Sequence, residues 1–440
     1  MHVYLNRYLL VECTGGNNAL EKYTLSNGLR VVAEHIPGSR SVSFGIWVKN
    51  GSRNETQADN GISHFIEHML FKGTDRYNAR EIAEQFDAIG GNVNAFTSKE
   101  YTSYYAKVLD EHLPIAMDTL ADMFFNSKFD PEELAREKNV IFEEISMYLD
   151  DPDDLVHDLI VEAAYEGHPL AMPILGTQEH LEAMSSDDLM GFMNERYTIN
   201  NTILAIAGNL GDDIRELLER HFGSFQRHGE EQSITVPSFD GGLVYRKKKT
   251  EQNHICLAFQ GFGYDDPRQY AMALLNNSIG GGMSSKLFQE IREKRGLAYS
   301  VYSYHSAHID SGYFTIYAGT APKQTAEVLQ LTREVLQDIQ SNGLSESEIF
   351  KGKQQLKGSL IMGLEGSGSR MNRLGKNELM LGRHESIDET IAKVEAVTEK
   401  DVRLALDHLF AQPFAVAMVG NSDRAINALR RDELVPSSTN

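Results

Sequence analysis

Two neighbouring stretches decide how this chain is built: SVSFGIWVK at residues 41–49 and GISHFIEH at residues 61–68. The first alternates and is rich in β-branched side chains, which reads as a strand. The second reads as the opening of a helix, with His64 and His68 one turn apart on one face. A loop rich in Gly, Asn and Glu separates them. A strand and then, across that loop, a helix, rather than a run of one element type, points to an α+β chain.

The same alternation continues outward. Leu29–Ala33 reads as a strand before this region, and Ala79–Ile89 as a helix after it, stopped by Gly90 and Gly91. Asn92–Ser98 and Thr102–Leu109 read as two strands joined by a polar turn at Lys99-Glu100. Helices are expected over Leu113–Phe125, Pro131–Leu149 and Asp153–Tyr165. The second half then repeats the order. His254–Gln260 reads as a strand, Arg268–Ile279 as a helix ending at Gly280-Gly281-Gly282, and Lys286–Glu293 as another helix. Ala298–His305 and Gly312–Gly319 read as strands and Lys323–Ile339 as a long helix. Duplication of one α+β unit is the simplest account. The expected fold is therefore two similar α/β-sandwich domains, each an antiparallel-rich sheet packed by helices. The polar, Gly-containing stretch 226–243 is the expected linker, between an N-terminal domain at 1–225 and a C-terminal one at 244–440.

Composition bounds the function. A chain of 440 residues suits two domains of about 200 each. The formal net charge of -21 repels phosphate backbones and anionic membranes, so nucleic acid and membrane surfaces are not expected partners. It favours basic peptides, although many soluble proteins are acidic for solubility alone. The 2 cysteines, Cys13 and Cys256, form neither a CxxC pair nor a disulfide framework, which suits a reducing, cytoplasmic setting. No stretch reaches the ~18 apolar residues of a membrane span. The first sixteen residues, broken by Asn6, Arg7 and Glu12, make a weak signal peptide and read as an untidy extension.

His64 and His68 suit two nitrogens on one zinc ion, and Glu67 lies beside the same helix face, within reach of a water at the metal. Chance alone would produce the HxxEH order about 4 times in 100 chains of this size. The bland reading is an amphipathic helix with two solvated histidines. A zinc site needs a third protein ligand. Glu137 and Glu144, seven apart, share a helix face, whereas Glu143 points elsewhere. Without the histidines, that run would read as a solvated acidic face.

These residues carry a resemblance. HFIEHMLFKGT at 64–74, with Glu144 76 residues after His68, is similar to the inverted-zincin metallopeptidases of the pitrilysin and mitochondrial processing peptidase family. The blocks GGNVNAFTSKEYTSYY at 90–105, GHPLAMPILGT at 167–177, GGGMSSKLFQEIREKRGLAYSVYS at 280–303 and SRMNRLGKNELMLGR at 369–383 agree with it. The resemblance runs from about Leu25 to about Asn421 and is strongest to the short processing-peptidase branch, bacterial in type. It implies a zinc endopeptidase with one zinc per chain on His64, His68 and Glu144. Glu67 would serve as general base and Glu137 would orient a ligand or the base. The edge strand holding an extended peptide would be Asn92, Val93, Asn94, Ala95 and Phe96; from the residues alone, an inner strand is equally open.

The resemblance also implies that Arg292 and Tyr299 face the zinc from a different domain, in a homodimer whose chains share these groups. Taken alone, they read as an exposed Arg and a core Tyr. No HxxEH occurs after residue 244, so the second unit is expected to lack metal. The competing reading is a non-catalytic scaffold or peptide-binding subunit. Two other clusters carry no site. Gly280–Gly282 lacks the Lys and spacing of a phosphate loop, and the acidic run 150–154 reads as helix termination and N-capping.

Overall fold

The computed structural model describes residues 20–229 and 233–421. The N-terminal extension, with Cys13, lies outside them. The chain is α+β and folds as two compact units, each drawn from three stretches of sequence. The first takes the described residues of Met1–Glu143, Met172–Ile234 and Met362–Ser386; the second takes those of Glu144–Ala171, Thr235–Ile361 and Ile387–Asn440.

In the first unit, strands β1 (Leu20–Thr24), β2 (Arg30–His35), β3 (Ser41–Val48), β4 (Asn92–Thr97), β5 (Thr102–Leu109) and β6 (Thr202–Gly208) form one sheet in the order β1-β2-β6-β3-β5-β4. Only β2 and β6 run parallel; the other pairs are antiparallel. β3 is central and buried almost throughout, as its apolar content requires. β4 forms an edge. Helices α1 (Ile62–Leu70), α2 (Ala79–Ala88) and α3 (Leu113–Asn126) fill the stretches between strands, and α4 (Pro131–Asp150) follows them.

In the second unit, β7 (Leu243–Lys247), β8 (Asn253–Gln260), β9 (Ala298–Ala307), β10 (Gly312–Thr320) and β11 (Ala415–Gly420) give the order β7-β11-β8-β10-β9. Again one pair, β7 with β11, is parallel. Helix α5 (Pro152–Ala164) lies on β8 and β11, where Leu155, Val156, Leu159 and Ile160 pack against Cys256, Ala258, Ala417 and Val419. Asp151 caps α5, its side chain accepting from the Asp153 N–H at 2.9 Å.

The junction at Ile234/Thr235 falls inside the stretch read as a linker, but the units are not the contiguous halves expected. α5 comes from the first half of the sequence and covers the second sheet. The helix Ser367–Leu381 comes from the second half and packs on β2, β3 and β6. Gly375 makes that packing feasible: a Cβ there would lie 2.3 Å from the buried Trp47 ring, and Met371 Sδ accepts from the Trp47 indole N–H at 3.3 Å. Glu378 of the same helix is fully buried and takes Arg30 at 3.0 Å and Lys22 at 2.9 Å, which ties the helix to β1 and β2. Removing one partner of such a buried set would cost ~3–5 kcal/mol.

Candidate metal centre

Helix α1 begins at Gly61, whose φ of 97° lies in the left-handed region and whose missing Cβ would sit 2.9 Å from the Gly176 backbone. Only glycine fits both demands. Nothing on the helix itself caps this end. The buried Glu55 does so from the preceding loop, accepting from Gly61 N–H at 2.8 Å, Ser63 N–H at 2.9 Å and Asn60 Nδ2 at 2.9 Å. Burial pushes the Glu55 carboxyl upward, while the Gly61 and Ser63 amides pull it back. A carboxylate at a helix N-terminus also meets the positive end of the helix dipole.

One turn further, His64 and His68 turn their Nε2 atoms toward each other at 3.2 Å. Burial, and next the neighbouring His68, press the His64 imidazole down to about 3, so it is neutral at physiological pH and can act as a ligand. His68 Nδ1 lies 2.7 Å from Glu137 Oε1. A carboxylate can only accept, so Nδ1 carries a hydrogen, which leaves Nε2 as the ring atom that could meet a metal. Glu137 is itself held on its other oxygen by Lys72 Nζ at 2.6 Å. Burial works to raise the Glu137 carboxyl, but the hydrogen bonds from His68 and Lys72 outweigh it and hold the group below its ordinary range.

Helix α4 is continuous from Pro131 to Asp150, and the division between units, at Glu143/Glu144, falls within it. Glu144 lies two turns beyond Glu137 on the same face. One ligand atom each from His64, His68 and Glu144 falls within 4.8 Å of the others, the one group of three metal-ligating side chains found among the described residues. Glu143, the adjacent carboxylate, is exposed.

The donor set fits zinc. Two ligand atoms at ~2.0–2.1 Å from one ion and at a tetrahedral angle stand ~3.3 Å apart, against the 3.2 Å seen between the imidazoles. Two nitrogens and one carboxylate leave a fourth position open, as in a catalytic rather than a structural site.

Glu67 is half-buried on α1, and Thr97 Oγ1 at the end of β4 donates to its Oε2 at 2.6 Å. Among the described residues, β4 pairs only with β5. The turn bond from Ser98 N–H to the Tyr101 carbonyl at 2.8 Å sets the phase of the ladder. By antiparallel alternation, Asn92, Asn94 and Phe96 bond to β5, while the backbone groups of Val93, Ala95 and Thr97 point to the open edge. The Ala95 N–H there is met by the Asn94 side-chain oxygen at 2.8 Å. Phe96 packs with Trp47, Tyr101 and Tyr105.

In the second unit, the Arg292 guanidinium lies over the Tyr299 ring at 4.7 Å and over Phe288 at the same distance. Two backbone irregularities present this pair. Phe288–Glu293 is wound as a π-helix instead of the expected α-helix. The β9–β10 register also skips Tyr299, passing from Ser300 to Ala298, which marks a bulge. Tyr299 is 75% exposed as a result, where the residues alone suggested a core tyrosine.

Sequence reasoning brought His64, His68, Glu67, Glu137 and Glu144 together, and Arg292 with Tyr299. It missed Glu55, Lys72 and Thr97. Lys72 stands four residues after His68, a spacing that could have flagged it; Glu55 and Thr97 act across loops and leave no periodic signal.

Comparison with known proteins bears on this geometry. Residues 30–178 match the model of insulinase, peptidase family M16, and residues 183–356 match that of the peptidase M16 inactive domain. The chain is 49% identical over 403 residues to a protein of Bacillus subtilis named uncharacterized zinc protease YmxG, covering 92% of this chain and 98% of that one. It is 40% identical over 422 residues to an uncharacterized zinc protease of Streptomyces coelicolor, covering 93% and 92%. Among solved structures, a protease from Helicobacter pylori superposes with a TM-score of 0.85 at 23% identity, covering 91% of this chain and 99% of that one. A peptidase M16 inactive domain from Pseudomonas fluorescens gives 0.85 at 21%, covering 92% and 98%.

Proposed function

The chain belongs to peptidase family M16, and from that premise we propose that it is a zinc endopeptidase acting on short or unfolded peptides held in extended form. His64, His68 and Glu144 hold one zinc per chain, and Glu137 fixes the His68 ring. The observation that carries this is the pair of imidazole nitrogens at 3.2 Å with the third carboxylate within 4.8 Å. Zinc, when bound, polarises the scissile carbonyl and lowers the pKa of water beside it to ~7.

The protein's own groups do the rest. The outward-facing backbone groups of Val93, Ala95 and Thr97 pair with the peptide as an added strand, which takes the Ala95 N–H over from the Asn94 side chain, without reading its sequence. Within the stretch Asn92–Phe96, only alternate residues therefore offer their backbone. Glu67 takes the proton of the attacking water as its oxygen bonds to the scissile carbon. It then returns that proton to the departing amine as the C–N bond breaks. Tyr299 donates from its exposed hydroxyl to the oxyanion, and Arg292 steadies it and pairs with substrate. Basic peptides are the favoured substrates, in view of the net charge of -21. A homodimer in which chains share Arg292 and Tyr299 belongs to the same proposal. So does a cytoplasmic setting, which the single described cysteine, free and buried, suits. No helix among the described residues is long and apolar enough to cross a membrane.

The test pairs elemental analysis with cleavage of a quenched basic peptide. Glu67→Gln is expected to keep one zinc per chain and lose ~10²–10⁴-fold in kcat. Normal cleavage by this variant would overturn the mechanism. Metal absent from both proteins, with peptide bound uncut, would favour the scaffold subunit instead.

A further inference from the structure

We propose that Thr97 is a positioning residue for the reaction: its hydroxyl sets the Glu67 carboxylate in place, so that the base and the peptide are referenced to one strand. The inference rests on the reading of Glu67 as general base.

The Thr97 hydroxyl gives its one proton to Glu67 Oε2 at 2.6 Å. The longer contact, at 3.4 Å, has Thr102 Oγ1 as donor and the Thr97 oxygen as acceptor. Thr102 has a nearer acceptor in the Asn50 carbonyl at 2.9 Å. The Thr97 proton therefore belongs to Glu67. Threonine is β-branched and stiff about χ1, and Thr97 is locked in register opposite Thr102 on β5. The hydroxyl therefore inherits the rigidity of the sheet.

A glutamate has the opposite problem. Ordering its long side chain costs rotamer freedom. An anchor on one carboxylate oxygen meets that cost before substrate arrives and fixes the plane of the group that must take the proton. Ala95, whose N–H faces the open edge, lies two residues before Thr97 on the same face of β4. A peptide added at that edge is thus aligned by the same few residues that align the base. A misplacement near 1 Å can cost ~10²-fold in rate, which sets the scale of what this arrangement protects.

The experiment compares Thr97→Val, which keeps shape and loses the hydroxyl, with Thr97→Ser, which keeps the hydroxyl. For Thr97→Val, kcat on the quenched peptide should fall ~10–10²-fold with KM unchanged. Zinc content and thermal midpoint should stay as in wild type. Thr97→Ser should recover most of the rate. In a Glu67→Gln background, Thr97→Val should leave the peptide Kd, read by fluorescence anisotropy, within about twofold. A purely structural role for Thr97 in β4 would instead weaken binding there. Full kcat in Thr97→Val, or no recovery in Thr97→Ser, overturns the proposal. If Thr97→Val loses its cooperative melt, Thr97→Ala replaces it with the same expected outcomes. An active Glu67→Gln enzyme would instead overturn the base assignment itself; an inactive one beside a fully active Thr97→Val overturns only the role given to Thr97.

Discussion

The two units share a strand plan and differ in what hangs on it. β2-β6-β3-β5-β4 in the first matches β7-β11-β8-β10-β9 in the second, with the single parallel pair in the same place. The helix after the central strand differs in chemistry. α1 carries His64, Glu67 and His68, whereas its counterpart Gln269–Ile279 reads QYAMALLNNSI and holds no histidine or carboxylate. That helix turns Ala271, Met272, Leu274 and Leu275 into the core and uses Asn276 to accept from Ser303 Oγ at 2.7 Å. The edge strands differ too. β4 keeps regular pairing and an open line of backbone groups, while β9 is bulged at Tyr299. The duplicated scaffold is neutral as to function, and a few side chains and one extra residue decide what each copy can do.

The comparison leaves the second sheet without a histidine-bearing helix and with a bulged edge, a contrast that mutations can test. The largest effect is expected at the bulge. Tyr299→Phe should lower kcat ~10²-fold, the loss of one oxyanion donor, with zinc content unchanged by elemental analysis. A drop in zinc would mean that the tyrosine hydroxyl also supports the ion, and the separation of oxyanion donor from metal ligands would fail.

A smaller effect, of the opposite kind, is expected in the first unit. Glu137→Gln leaves the three ligands in place but weakens the acceptor that fixes the His68 ring and loses the charge that engages Lys72. Zinc affinity, measured by chelator competition, should fall ~10–100-fold. Unchanged affinity would show that His68 is oriented by α1 alone.

Much of this was legible in the sequence because periodic signals carry it. The strands and helices follow from alternation and helical spacing, and the paired histidines from i, i+4 positions; the choice of Glu144 over Glu137 came from the family resemblance. The edge position of β4 was not, because edge and inner strands share the pattern of NVNAFT; only the strand order decides. The exchange of α5 and Ser367–Leu381 was illegible for a similar reason. An apolar helix face states that it must be covered, not by which sheet. The bulge at Tyr299 and the π-turn at Arg292 left no trace in REKRGLAY, since each is a departure from period rather than a period. Thr97 on Glu67 and Glu55 on Gly61 depend on loops closing, which local pattern does not encode.

The smallest predicted effect tests how the metal helix is held at its start. The counterpart helix Gln269–Ile279 has Arg268 at its N-cap and no side-chain cap. α1 instead has Glu55, which takes two backbone amides. Glu55→Ala would leave both N–H groups buried without that acceptor, a loss of ~1–3 kcal/mol read from the denaturant midpoint. Glu55→Gln keeps one acceptor oxygen and should fall between Ala and wild type. Ser63 and Gly61 lead directly into His64, so loosening this turn moves a ligand, and zinc affinity should fall in the same order as stability. If Glu55→Ala stays within about 0.5 kcal/mol of wild type, the scale of an ordinary surface change, then α1 is held by its buried apolar face alone, as its histidine-free counterpart is. The two helices would then differ only in the residues that meet the ion.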